Sequence, residues 1–247
     1  MIKELTILIV WHKESNPEKI KCFEENKRTF EQYNPGVEIL VIINQFEDSN
    51  EAWLSSDLSI FNWYNDKTKS VESKRFLLIE WDCWCDISVE EYFSNTWNMD
   101  VVAPSVKYPE RDSWYWFSTK QKLPDRARLY ATGIVPFCGI LVSEKAMKAI
   151  GEEIIKPDYR GLNSELRFAS VATFLGYDPV PNPVCSRSVI WNPIIPFDFR
   201  FKGFHHPRKV LTSSCVLGQI NTILDLDKCI IPRIIHQTYK DNSPQHI

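Results

Sequence analysis

The segment Phe76-Leu77-Leu78-Ile79-Glu80-Trp81-Asp82 sets two carboxylates at the end of an apolar run. Side chains alternate along a strand, so Glu80 and Asp82 share one side. Two carboxylates on one side repel unless a cation or a hydrogen-bond donor lies between them. A divalent ion with oxygen ligands resolves that repulsion and can also hold a diphosphate. A solvated strand end is the competing reading of the same residues. Asp86 follows shortly after. It is either a third acid for such a site or the cap of a helix around Val89, and the cap is the preferred role. Much later, Gly203-Phe204-His205-His206-Pro207-Arg208-Lys209 adds two imidazoles and two cations. An exposed basic turn before Pro207 is the alternative there.

The elements that must position these groups alternate between strand and helix. Leu5 to Trp11 is a continuous apolar run with one Thr, as in a buried parallel strand. Ser15 and Glu18 form a capping-box pattern with Pro17 early in the helix. Ile20, Phe23, Phe30 and Tyr33 then fall largely on one face, and Asn34-Pro35-Gly36 stops the helix. Glu38 to Ile43 completes a βαβ unit. Leu58 to Trp63 suggests a third strand, and Phe76 to Trp81 a stronger one. Ser88 caps a short helix over Val89 to Trp97, and Asp100 to Ala103 reads as a short strand. Pro104 to Thr132 has little periodicity and carries many aromatics, which suits a long surface or site-covering segment. Ile134 to Val142 is apolar but broken by Pro136 and Gly139. Ser143 caps a helix ending near Gly151, and Asn163 or Ser164 caps another running to Gly176. Residues 179–196 are Pro-rich and should be extended. The pattern predicts a single α/β/α sandwich with a mostly parallel central sheet. In such sheets ligands bind beyond the carboxyl ends of the strands.

Composition bounds the partners. The chain has 247 residues and a net charge of -3, so no global field draws nucleic acid or an anionic membrane. No run of about 18 apolar residues occurs, which argues against an integral membrane segment. The seven cysteines are scattered and odd in number, with only Cys83 and Cys85 close together. Neither a zinc site nor a disulfide framework follows, and reduced thiols in a cytoplasmic setting fit best. Nine Trp, nine Tyr and 14 Phe supply flat surfaces for sugar rings, unless they serve the core.

The order of an apolar first strand, a polar loop and then Arg75-Phe76-Leu77-Leu78-Ile79-Glu80-Trp81-Asp82 resembles the GT-A glycosyltransferases and their DXD motif. Gly133-Ile134-Val135-Pro136-Phe137-Cys138-Gly139-Ile140-Leu141-Val142-Ser143 resembles the acceptor-side segment of that fold. Asn163-Ser164-Glu165-Leu166-Arg167 resembles the place where inverting members carry a catalytic acid. Gly203-Phe204-His205-His206-Pro207 resembles the late His that completes the metal site. The resemblance spans roughly residues 5–210, with Glu80 in place of the motif's first Asp. Ile231-Pro232-Arg233-Ile234-Ile235-His236-Gln237-Thr238-Tyr239-Lys240 resembles the opening of a second, mannosyltransferase-like domain. The expected organisation is therefore a glycosyltransferase domain over 1–225, then a linker and the start of a further glycosyltransferase domain over 226–247. Similar modular enzymes occur in bacteria and large DNA viruses.

The resemblance implies a nucleotide-diphosphate sugar donor, a glycan acceptor, and Mn²⁺ or Mg²⁺. Asp82 is the first metal ligand and His206 the second, with His205 as its competitor. An imidazole in the set favours Mn²⁺. His12 and Asn44 follow the first two strands and are candidates for ribose or base contacts. Trp11 either stacks on the base or belongs to the core. Arg75 or Lys74 can reach the nucleotide, Glu80 can contact ribose or water, and Arg208 or Lys209 can meet phosphates. Glu165 is the expected base of an inverting reaction, and Asp158 its reserve. A helix N-terminus lowers a carboxyl pKa, which would weaken Glu165 as a base. Trp114, Trp116 and Phe137 either hold the acceptor sugar or pack the core. A non-catalytic carbohydrate-binding or scaffolding module is the competing function. A nucleotidyltransferase fits less well, because no Gly-rich loop follows the first strand. A dinucleotide-dependent oxidoreductase fits poorly for the same reason.

Overall fold

The computed structural model describes residues 2–46, 48–66, 68, 71–184 and 202–209. Three parallel strands, β1 (Thr6–Trp11), β2 (Glu38–Ile43) and β3 (Arg75–Glu80), lie side by side with β1 in the middle. Short strands follow: β4 (Trp84–Cys85), β5 (Val101–Ala103), β6 (Val106–Lys107), β7 (Gly133–Ile134), β8 (Ile140–Ser143), β9 (Val180–Pro181) and β10 (Phe204–His205). The central sheet has the order β2-β1-β3-β8-β5-β9. β8 runs against both its neighbours, while β5 and β9 are parallel. The sheet is thus mixed and mostly parallel, as expected. β4 pairs with β10, and β6 with β7, in two-stranded ribbons.

Strand alternation divides the core into two layers. Leu8, Val10, Phe76 and Leu78 face the layer shared with Ile60, Phe61, Met147 and Phe168. Ile7, Ile9, Leu77 and Ile79 face the other, with Phe30, Phe93 and Phe204. Each such side chain, once buried, contributes about 1.5–3 kcal/mol of transfer free energy. The first layer is covered by α3 (Ser56–Asn65), α6 (Glu144–Ile154) and α7 (Ser164–Phe174), the second mainly by α1 (Pro17–Tyr33). Shorter helices are α2 (Ser49–Leu54), α4 (Val89–Tyr92) and α5 (Asp125–Arg128).

Leu58 to Trp63 is helical, not a strand. Leu58 and Phe61, and likewise Ile60 and Tyr64, recur at helical spacing against the first layer. The cap of α1 is Asn16, whose side chain accepts from the Glu18 amide. Pro17 then takes the first helical position, which leaves Ser15 outside. Ser88, Ser143 and Asn163 do cap α4, α6 and α7. Residues 104–132 are not featureless. They hold β6, a 3₁₀ helix over Tyr115–Lys122 and α5. Cys22, Cys83, Cys85 and Cys138 are buried. Among the described residues no helix is long and apolar enough to cross a membrane. The second-domain segment 226–247, and most of the Pro-rich stretch, lie outside the described residues.

Candidate metal and active site

β3 delivers Glu80 at its last position, and Asp82 follows two residues on, beyond the carboxyl edge of the sheet. The β4–β10 ribbon brings the late segment back to this point. Phe204 pairs with Cys85 and His205 with Trp84. The Arg208 amide then donates to the Asp82 carbonyl at 2.7 Å. Asn26 on α1 fastens the same junction. Its Nδ2 donates to the Trp81 and Arg208 carbonyls, and its Oδ1 accepts from Arg208 Nε.

This path sets His206 over the two acids. His206 Nε2 lies 3.2 Å from Asp82 Oδ1 and 3.5 Å from Glu80 Oε2. One ligand atom from each of Glu80, Asp82 and His206 falls within 4.8 Å of the others. That is close to the span of about 4.2 Å between opposite ligands of an ion held at about 2.1 Å. Asp82 is 3% exposed, and among the described residues its Oδ1 finds no donor other than the His206 ring. Among the described residues His12 Nδ1, just past the end of β1, is also buried without a hydrogen-bond partner. Buried acceptors left this way suit a cation, so the residues fit a divalent ion.

Burial disfavours charge on Asp82, His206 and His12, and their charged neighbours oppose it. It pushes Asp82 up, but His206 and Lys209 bring its carboxyl below the usual range. Burial pulls His206 down, yet Asp82 and the other neighbours hold it well above an ordinary imidazole. His12 goes the other way. Its burial outweighs Glu80 and Asp82, and its pKa falls. The protonated His206 therefore offsets part of the acids' charge when no metal is present, and an incoming cation competes with that proton.

Glu165, in the first turn of α7, faces the same cluster. Burial, then the Glu80 charge, push it up to about 8. The Phe137 amide donates to its Oε1 at 3.2 Å and offsets only part of this. The expected lowering by the helix terminus is thus overturned, because desolvation outweighs the dipole. A carboxyl near 8 is a stronger base than an ordinary one once it has lost its proton.

Other residues named from sequence separate clearly. His205 points away from the acids, since neighbours on a strand alternate. It stacks on Trp84 at 4.1 Å and lies 3.3 Å from Asp86, so it is not the competing ligand. Asp86 is not a helix cap either; it accepts from the Gly203 amide. Arg75 stands at the amino end of β3, about 16 Å of strand away from Glu80. It donates to the Met99 carbonyl and lies over Trp97, which rules it out as a contact at this site. Lys74 pairs with Glu4. Asp158 is held by two bonds from Arg126, which lower its pKa, so it makes a poor reserve base. Phe137 is buried against Phe168 and offers the site only its amide. Trp11 stacks on Phe23 and meets Trp81 edge-on, the core role. Asn44 closes the turn after β2, bonding Ala52 and Phe46. Trp114 packs against Gly133, and Trp116 lies beside Trp53. Lys209 Nζ approaches Asp82 Oδ2 at 3.6 Å from an exposed position. Arg208 is spent on Asn26 and on the Trp84 ring, 4.9 Å away.

Two site-building residues escaped the sequence reading. Ser56 Oγ donates to Glu80 Oε1 at 3.1 Å. Asn26 had a visible signal, a polar residue in register with Cys22 and Phe30 on the buried face of α1.

No protein-family model matches the chain, and no curated protein matches it. Among solved structures, it is similar to a glycosyltransferase involved in the glycosylation of the major capsid of PBCV-1. The identity is 11%, over 73% of this chain and 82% of that one, with a TM-score of 0.45. It is also similar to A197 from STIV, at 11% identity over 72% and 82% of the two chains, with a TM-score of 0.32. No residue role is carried over from either.

Proposed function

We propose that the chain is a metal-dependent glycosyltransferase that moves a sugar from a nucleotide-diphosphate sugar to a carbohydrate acceptor with inversion. The observation that carries this reading is the convergence of Glu80, Asp82 and His206 at the carboxyl edge of the sheet, with Glu165 facing them. Asp82 and His206, with Glu80, would hold Mn²⁺ or Mg²⁺, which when bound stabilises negative charge on a departing diphosphate. Ser56 orients Glu80, and Asn26 keeps the His206 segment over Asp82. Lys209 is placed to meet a phosphate oxygen. Glu165 takes the proton of the acceptor hydroxyl, and its high pKa suits that role. A further glycosyltransferase domain opening at Ile231 and a cytoplasmic setting belong to the same proposal and rest on sequence alone.

A second reading has one observation in its favour. His206, whose pKa its acidic neighbours hold well above an ordinary imidazole, pairs with Asp82, so the cluster can exist as an ion pair in a non-catalytic carbohydrate-binding or scaffolding module. A thermal-shift screen of UDP-, GDP- and dTDP-sugars with and without Mn²⁺ separates the two. The transferase reading expects a Mn²⁺-dependent rise in melting temperature with one donor class, abolished by Asp82→Ala. It also expects Glu165→Gln to bind donor but not transfer sugar. No metal-dependent nucleotide binding and no nucleotide release from any donor would sink it.

A further inference from the structure

Trp53, Tyr115 and Trp116 form an aromatic cluster at the surface. Trp53 is 58% exposed and Tyr115 74%. Trp116 lies between them, its ring centroid 5.8 Å from Trp53 and 5.0 Å from Tyr115. The planes are tilted by 53° and 73°, so the rings meet edge-on or obliquely, and Trp53 and Tyr115 keep much of their surface in water. Trp116 is partly buried against the first core layer, whereas large rings left in water, as Trp53 and Tyr115 are, are unfavourable unless something covers them, and such gatherings mark binding surfaces.

Their position is set by elements that also build the site. The Ala52 carbonyl accepts from Asn44, just past β2, and Ser56 holds Glu80. Trp53 sits on the short span between these two anchors, at the carboxyl edge of the sheet. Tyr115 and Trp116 open the 3₁₀ helix that packs against α7, and the first turn of α7 carries Glu165. One arm of the cluster therefore hangs from the Glu80 side and the other from the Glu165 side.

The chemistry of the surface selects its occupant. A pyranose has a C–H face that lies against an aromatic face and a rim of hydroxyls that stays in water. Separate, tilted rings suit successive sugar units. The 3₁₀ helix continues into Ser118 and Thr119, whose hydroxyls donate to the Tyr115 and Trp116 carbonyls and keep lone pairs that can accept from sugar hydroxyls, and into Lys120. We propose that Trp53, Tyr115 and Trp116 form a subsite for the pyranose rings of an oligosaccharide, on the acceptor side of the metal cluster. Only the word acceptor rests on the transferase reading; the sugar subsite stands by itself.

The test uses the full chain on an immobilised panel of gluco-, galacto-, manno- and xylo-oligosaccharides, followed by calorimetry with the best binder. Mn²⁺-dependent binding of UDP and GDP is measured separately. The doubly substituted Trp53→Ala/Tyr115→Ala protein is expected to bind the oligosaccharide at least about tenfold more weakly, the loss of one to two stacking contacts. Trp53→Tyr, which keeps a ring, should retain most of the affinity. Unchanged nucleotide binding and melting temperature in these variants would show that the loss is local. Sugar binding that depends on Trp53 in a protein that binds no nucleotide would uphold the subsite and remove the transferase reading. The proposal falls if the wild-type chain binds no oligosaccharide on the panel, or if the double variant binds as tightly as wild type. It also falls if the rings instead mediate self-association that Trp53→Ala abolishes.

Discussion

Replacing Asp57 by Ala should be among the most damaging single changes in the protein. Asp57 and Arg167 are both fully buried. Arg167 Nε donates to Asp57 Oδ2 at 2.8 Å and Nη2 to Oδ1 at 2.5 Å. Its remaining donors reach the Tyr159, Leu162 and Leu54 carbonyls. All five guanidinium N–H groups are thus used, and the full burial of the pair keeps bulk solvent from replacing a lost partner. Removing the carboxylate strands a charge in the interior, which costs about 3–5 kcal/mol. For a domain of this size each kcal/mol lowers Tm by about 2–4 °C, so the expected fall is about 6–20 °C. The pair joins the start of α3 to α7, the helices that carry Ser56 and Glu165. Loosening it should therefore also weaken Mn²⁺ binding at fixed temperature. The assay is a double-mutant cycle by chemical denaturation with Asp57→Ala, Arg167→Met and the pair combined. A coupling of about 2–3 kcal/mol is expected, because the second change removes the stranded charge. Loss of less than about 1 kcal/mol in Asp57→Ala would refute the reasoning, since a satisfied buried ion pair cannot lose one member so cheaply.

Two further outcomes follow from the same geometry. Glu165 keeps its proton in the folded protein up to about pH 8, whereas in the unfolded chain it loses it near the ordinary carboxyl value. Its contribution to stability is therefore full at low pH and lost as pH rises towards 8. In metal-free buffer, stability should fall across that window more steeply in the wild type than in Glu165→Gln, by up to about 1.4 kcal/mol per pH unit; parallel urea-midpoint profiles would contradict this. Gly133→Ala would set a methyl 2.3 Å from Trp114 Cζ3. It should cost about 1–3 kcal/mol by forcing the indole aside, visible as a Tm shift together with altered tryptophan fluorescence.

What was legible in the sequence was local. The buried runs of β1, β2 and β3, the caps Ser88, Ser143 and Asn163, and the same-side placement of Glu80 and Asp82 all depend on near neighbours. Leu58 to Trp63 misled because a short apolar run suits a strand or a buried helix equally. The choice between His205 and His206 turned on the phase of β10, which is set by pairing with β4 and not by the turn itself. The elevated Glu165 pKa came from its surroundings, chiefly burial and Glu80, where sequence offered only the helix terminus. The sequence alone could not exclude Arg75 or Asp158. Arg75 stands at the wrong end of a correctly identified strand, and Asp158 is claimed by Arg126 from a different element.

The return of the late segment to Asp82 has a consequence for how the protein comes into being. Asp82 and His206 are 206 − 82 = 124 residues apart in the chain. Most of the central sheet is complete by β9, well before His206 is synthesised. Contacts of such high sequence separation form slowly, since a long loop must close first. A nascent chain can thus possess its sheet while lacking His206, so the Glu80–Asp82–His206 cluster is incomplete until β10 docks on β4. Uptake of a divalent ion would then act as a lock on the last step of maturation, drawing the equilibrium towards the closed form.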